Sequence, residues 1–369
     1  MSRNNATSDT ATDSTTMQAV VCHAPEDYRL ESVERPRPGP NEILLKIGAC
    51  GICASDVKCR SGAEMFWGGE YQPGWVEAPV IAGHEFFGEV VELGPGAEEH
   101  FNIARGDRAI AEQIVPCGKC RYCDSGHYWM CEVHNIFGFQ RQVADGGMAE
   151  YMLVPANARL HRIPQALSLA QSAFIEPLAC GIHAVNRGDI QLDDTVVIAG
   201  AGPIGLAMVQ VARLKTPKQL IVIDMLDARL ELARKFGADV VLNPSRDDVG
   251  EEVRALTGGY GCDVYIEATG SPSGVRQGLD IIRKLGRFVE FSVFGKETTV
   301  DWSIIGDRKE LDVRGAHLSP RTFPVAIDLM ARGLVTTDGI VTHELPLAEF
   351  EEGFRMATAA ESIKVLLIP

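Results

Sequence analysis

The sequence predicts an α/β protein built as two domains, a mostly β unit followed by a doubly wound parallel sheet. Length is the first ground, because 369 residues exceed what one hydrophobic core usually organises. The second is texture: up to about Pro164 the chain consists of short β-like runs broken by Gly and Pro. The third is a change near Thr195, beyond which strands alternate with helical segments, as a parallel sheet covered on both faces requires.

Residues 1–16, MSRNNATSDTATDSTT, are rich in Ser, Thr, Asn and Asp and hold no apolar run, so they predict a disordered leader without a signal-peptide core. From Met17 the runs QAVVCH, EILLKIGACGIC, VIAGHEFFGEVVELG, RAIAEQIV and AEYMLV predict a small, mostly antiparallel β domain. In the second domain TVVIA leads into a helix at 203–213, LIVID into 228–236 and VVL into 249–256. DVYIEA then precedes a helix around 275–284, and RFVEFS and DVRGA make six strands in all. A last piece, with helices at 323–333 and 347–356 and the run KVLLIP, could return to either domain.

Composition narrows the function classes. Hydrophobic content of 46% and charged content of 23% are those of a globular protein. A formal charge of -15 argues against a nucleic-acid partner, since phosphate binding needs clustered Lys and Arg. No run of about 18 apolar residues is present to cross a bilayer. A reduced, cytoplasmic protein is expected, and its ten cysteines read as metal ligands or free thiols rather than a disulfide framework.

Gly200, Gly202 and Gly205 in VVIAGAGPIGLAMVQVA form G-x-G-x-x-G after a strand and at the mouth of a helix, with Pro203 and Ile204 opening it. The first glycine permits a tight turn, the second lets backbone approach a pyrophosphate, and the third allows close helix packing. The helix N-terminus offers free N–H groups and a positive dipole to the phosphates. Asp224 ends the second strand 19 residues after Gly205, where a carboxylate can bond both ribose hydroxyls and repel a 2′-phosphate. With Met225 rather than an arginine next, NAD is favoured over NADP. Arg229 is a candidate neighbour of the adenosine, or a solvated arginine on a helix face.

Two constellations suit metal. Cys117, Cys120, Cys123 and Cys131 are spaced for a closed tetrahedral zinc site that staples a loop lacking its own core, a structural role. Cys53 in CGICASD, His84 and Glu85 in AGHEFFG, and Glu176 in IEPLAC offer thiolate, imidazole and carboxylate for a catalytic zinc with one open position. Spacing alone leaves this second set undecided, because a His beside a Glu also serves as a structural pair and a lone Cys as a small buried hydrophobe.

Together these residues resemble the zinc-dependent medium-chain alcohol dehydrogenases, from about Met17 to Pro369. GHEFFGEVVELGPGA fits that family's G-H-E, two residues, Gly, five residues, Gly. The four-cysteine lobe, GGMAEYMLVP, EPLACGIHA and GAGPIGL follow in the family's order. The resemblance implies a GroES-like catalytic domain over 17–175 carrying the cysteine lobe 117–131, a Rossmann domain over 176–316, and a return to the catalytic domain over 317–369. It also implies a homodimer or homotetramer with two zinc ions per chain. Cys53 and His84 would be catalytic-zinc ligands, with Glu85 and Glu176 completing the shell directly or through water. Glu176, where the classical alcohol dehydrogenases have Cys, resembles the sorbitol and other polyol dehydrogenases, and within that branch the chain as a whole looks most similar to those of four-carbon polyols such as erythritol and L-threitol.

The chemistry implied is zinc acidifying a secondary hydroxyl of a small polyol while hydride passes to NAD. Ser55 matches the family's hydroxyl that takes the alcohol proton, or is a turn serine. Five residues after Cys53 many relatives place a histidine that continues the proton path, but here stands Lys58, which at its ordinary pKa accepts no proton. The loop between Cys53 and His84 carries Met65, Phe66, Trp67, Tyr71 and Trp75, which could wall a substrate pocket or simply pack the loop. Rival readings are an L-threonine or simple secondary-alcohol dehydrogenase, and a non-enzymatic zinc-stabilised binding protein.

Overall fold

The computed structural model describes residues 15–70, 72–295 and 297–369. The expected leader lies mostly outside these. Its boundary is corrected, however: Thr16 opens the strand Thr16–Ala24, and the Thr15 carbonyl accepts the Arg35 amide at 2.9 Å.

Thr16–Ala24 pairs antiparallel with Asp27–Glu34 and with Val80–Ile81 in a three-stranded sheet. Asp27–Glu34 escaped sequence reading because only Tyr28 of its eight residues is buried, so its apolar stripe is too thin to see. The larger sheet of the first domain runs Leu160–Ile163, Arg108–Ala111, Glu85–Leu93, Ile43–Gly51, Lys364–Ile368, Val341–Pro346, with Tyr151–Val154 also on Ile43–Gly51. Ile43–Gly51 is central and flanked along its whole length, which is why ILLKIGACG is apolar almost throughout.

The second sheet has the order Val240–Leu242, Gln219–Ile223, Thr195–Ala199, Cys262–Glu267, Ile282–Glu290, Asp312–Gly315, every pair parallel. Along Thr195–Ala199 all five side chains are buried, Val196 and Ile198 joining one core and Val197 and Ala199 another. Alternate residues therefore face opposite layers of helix, the doubly wound arrangement. The strand order reverses between Thr195–Ala199 and its neighbour Cys262–Glu267, which places a ligand crevice at that end of the sheet.

Several element boundaries differ from expectation by a few residues. The helix expected at 275–284 is Pro272–Ile281: Ser271 caps it, Pro272 starts it, and Ile282 is captured by the parallel ladder opposite Cys262. The last piece returns to both cores. Phe323–Ala331 packs Phe323, Ala326 and Met330 beside the helix Ile175–Gly188, whereas Lys364–Ile368 pairs Leu366 and Leu367 with Gly51 and Cys50. That pairing carries Lys364 to the site described next.

Candidate active site and metal centres

Cys53 precedes the short helix Ala54–Arg60 in extended backbone, and its amide donates to Asp56 Oδ2 at 2.8 Å. The other oxygen of Asp56 lies 3.3 Å from His84 Nδ1. One buried carboxylate thus fixes both the cysteine's backbone and the orientation of the imidazole. His84 enters the strand Glu85–Leu93 from Gly83, whose φ of +94° and crowding by Cys50 and Met148 tolerate no side chain.

Cys53, His84 and Glu85 each bring one donor atom within 4.8 Å of the others. Glu85 is fully buried and paired with the equally buried Lys364, which also donates to the Ile52 carbonyl at 2.9 Å. His84 Nδ1 and Glu85 Oε1 are buried and lack a hydrogen-bond partner in good geometry. Such convergence of imidazole, thiol and a bare carboxylate oxygen fits zinc. Burial alone would push the His84 pKa down, but the Asp56 carboxylate outweighs it and holds the pKa well above the ordinary value. Ser55 Oγ sits 3.4 Å from His84 Nε2, the nitrogen turned away from Asp56.

Glu176, in the first turn of Ile175–Gly188, stands outside this compact set. Gln113 Nε2 donates to its Oε1 at 2.6 Å, and Ser319 Oγ donates to Gln113 Oε1 at 2.8 Å. Burial, with the Glu85 charge added, pushes its carboxyl up to about 7. The Lys58 ammonium donates to the Val293 carbonyl, tying the helix Ala54–Arg60 to the segment after Ile282–Glu290, and burial lowers its pKa. The aromatic loop packs: Phe66 stacks on Phe139 at 5.5 Å and 21°, and Phe139, which lies outside that loop, is the ring that reaches His84, at 5.5 Å. Tyr71 lies outside the described residues.

Sequence reading missed Asp56, Gln113, Ser319, Lys364 and Phe139. Of these only Asp56 left a signal, since three residues after Cys53 is the reciprocal-capping position of a helix start.

The sulfur atoms of Cys117, Cys120, Cys123 and Cys131 lie within 4.8 Å of one another, and none is in a disulfide. The Cys117 amide donates to Cys131 Sγ at 3.3 Å and the Glu132 amide to Cys120 Sγ at 3.4 Å. Backbone donors, that of Glu132 first, bring the Cys120 thiol down to about 6, favouring the thiolate a metal needs.

At the crevice of the parallel sheet, Gly200 has φ +101°, and a Cβ there would meet the Ala268 carbonyl oxygen at 2.6 Å. A Cβ on Gly205 would lie 2.0 Å from the Gly200 oxygen, so both positions exclude side chains for packing reasons. Gly202 differs: a Cβ there meets only Arg229 Nη1, at 4.0 Å, leaving open space at the start of the helix Pro203–Leu214. That opening is a cradle which a side chain would fill and a pyrophosphate fits. Asp224 Oδ2 accepts the Ala201 amide at 2.7 Å and Oδ1 the Leu226 amide at 2.8 Å, locking the carboxylate beside the glycine turn.

A family model for the alcohol dehydrogenase GroES-like domain matches residues 39–165, and one for zinc-binding dehydrogenases matches 203–332. The erythritol/L-threitol dehydrogenase of Mycolicibacterium smegmatis is 52% identical over 354 residues, covering 96% of this chain and 98% of that one. This chain belongs to the zinc-binding alcohol dehydrogenases. Two solved structures of similar shape are a protein of Escherichia coli CFT073 described as a short chain alcohol dehydrogenase, complexed with NADH, and one of Sinorhizobium meliloti described as a zinc-binding dehydrogenase, bound to NADP. The first has TM-score 0.85 at 29% identity, covering 96% of this chain and all of that one. The second has TM-score 0.87 at 32% identity with the same coverage. As a zinc-binding alcohol dehydrogenase the chain is an NAD-dependent oxidoreductase with a GroES-like and a Rossmann unit, which bears out the fold class and the cofactors expected. The non-enzymatic reading has no remaining support.

Proposed function

We propose that this dehydrogenase oxidises a secondary hydroxyl of a short polyol to the ketose, with erythritol or L-threitol the best-fitting substrates. The observation that carries it is the buried polar chain Glu176, Gln113 and Ser319 beside Cys53 and His84, an array that pairs with hydroxyls and not with alkyl groups. The likeness to the Mycolicibacterium enzyme supports it. Cys53, His84 and Glu85 would hold the catalytic zinc, with Glu176 completing the shell through water. Zinc bound there supplies Lewis acidity that lowers the pKa of an alcohol hydroxyl. Ser55 is the chain's own group to take that proton. Asp224 and the Gly202 opening would orient NAD, with Arg229, whose Nη1 borders that opening, the candidate neighbour of its adenosine.

A site whose polar groups are left unpaired by a simple alcohol should discriminate against it. A four-carbon polyol is expected to give a kcat/KM at least about tenfold above 2-butanol at one pH, about 1.4 kcal/mol of transition-state discrimination. NADH absorbance across polyols, 2-butanol and L-threonine checks it, and a preference for either of the latter over every polyol would sink the polyol reading.

Asp224→Ala is expected to raise KM for NAD roughly tenfold while relaxing discrimination against NADP. Wild-type turnover with NADP matching that with NAD would remove the role assigned to Asp224.

No helix among the described residues is long and apolar enough to cross a membrane. We further propose a cytoplasmic homodimer or homotetramer, the ten free cysteines suiting a reduced compartment. Sedimentation of the zinc-loaded protein measures the assembly.

A further inference from the structure

His317 follows the last strand of the parallel sheet, Asp312–Gly315, and its ring stacks on that of His134 with centroids 5.2 Å apart and planes 20° apart. His134 is held in the left-handed region at φ +56°, which a non-glycine residue adopts only when its surroundings hold it there. The edge of Trp75 meets His134 at 5.7 Å, Trp75 packs on Phe139 at 5.0 Å, and Phe139 reaches His84 at 5.5 Å. A continuous wall of rings therefore runs from the candidate zinc ligand to His317. A second route arrives from the other side, since Ser319, two residues on, bonds through Gln113 to Glu176. Both routes converge on the segment 317–319.

His317 Nε2 is buried and has no hydrogen-bond partner. A buried polar nitrogen left bare costs free energy, and its persistence beside a catalytic wall is explained if a ligand completes it. We propose that His317, steadied by the stacked His134, is a specificity-determining residue that receives a hydroxyl of the polyol other than the one oxidised.

The inference rests on the polyol reading above. Burial, reinforced by the neighbouring imidazoles of His134 and His183, pushes the His317 pKa down to about 4, so the ring is neutral at working pH. A neutral imidazole offers one donor and one acceptor, as a hydroxyl does. It offers no fixed charge to a carboxylate or phosphate, which sets a polyol apart from an amino acid or a sugar phosphate as the group received.

His317→Phe keeps a ring on His134 and removes both nitrogens. It is expected to lower kcat/KM for erythritol or L-threitol about tenfold or more, mainly through KM, while 2-butanol changes less than about twofold. His317→Gln, which restores a neutral donor and acceptor, should recover part of the loss. Zinc content and NADH affinity should match wild type in each. If His317→Phe does not fold, His317→Leu takes its place in the same comparison. Equal losses on polyol and 2-butanol, or no loss on polyol, overturn the assignment while the polyol reading stands. A wild type that prefers 2-butanol or L-threonine overturns both.

Discussion

Cys53→Ser and His84→Ala are expected to reduce kcat by about a thousandfold or more, roughly 4 kcal/mol of lost transition-state stabilisation, with the protein still folded. The reason lies in how the two residues are held. The start of the helix Ala54–Arg60 is secured by the Cys53 amide on Asp56, a backbone contact that Cys53→Ser keeps. His84 is buried against Phe139, so His84→Ala also removes packing, and its thermal midpoint should fall by a few degrees more than that of Cys53→Ser. Metal analysis should show one zinc fewer per chain in both variants. Fully active wild-type protein holding about one zinc per chain would contradict the two-site assignment, and a variant that keeps its turnover would remove the residue concerned from the site.

Cys120→Ser should do the opposite, lowering the thermal midpoint by about 5–10 °C while the remaining folded enzyme keeps its turnover at low temperature. The cysteine lobe has little core of its own: Tyr128 and Cys131 are its buried apolar residues, clustered with Ile114 just before it, and zinc held by the four sulfurs would supply what packing does not. The lobe also steadies its neighbour. Tyr128 Oη accepts the Arg321 amide at 2.9 Å and the Gly126 carbonyl accepts Arg321 Nη2 at 3.0 Å, next to the segment that carries His317 and Ser319. Heat should therefore abolish polyol turnover earlier in Cys120→Ser than in wild type, in step with zinc release. Differential scanning calorimetry with a zinc-sensitive dye follows both. Unchanged stability with zinc lost would show that the tetrad does not staple the fold.

The parts legible in the sequence are those whose cause is local. Four cysteines within 117–131 need only a short loop to converge. TVVIA is buried on both faces and reads as a central strand, and Gly200 and Gly205 stand where a Cβ would strike backbone. Asp224 beside the glycine turn follows from the register of two adjacent parallel strands. Asp27–Glu34 was invisible because an edge strand facing solvent buries too little to leave a pattern.

The surroundings of the candidate site were decided by tertiary structure. Lys364 meets Glu85 across 279 positions because the last strand inserts beside Ile43–Gly51, a pairing no local periodicity encodes. Glu85 stands with Cys53 and His84 as the neighbour of His84 in the chain, whereas Glu176, which comes from a distant helix, is engaged by Gln113. Lys58 looked like a missing proton acceptor, and only the meeting of the two sheets turned it into a tie to Val293. Sequence determined which donors, turns and strands were available, because hydrophobic period, capping and ligand spacing act over a few residues. Tertiary structure decided which buried charges found partners and which nitrogen was left bare at His317, because desolvation and hydrogen bonding depend on neighbours that sheet pairing brings from anywhere in the chain.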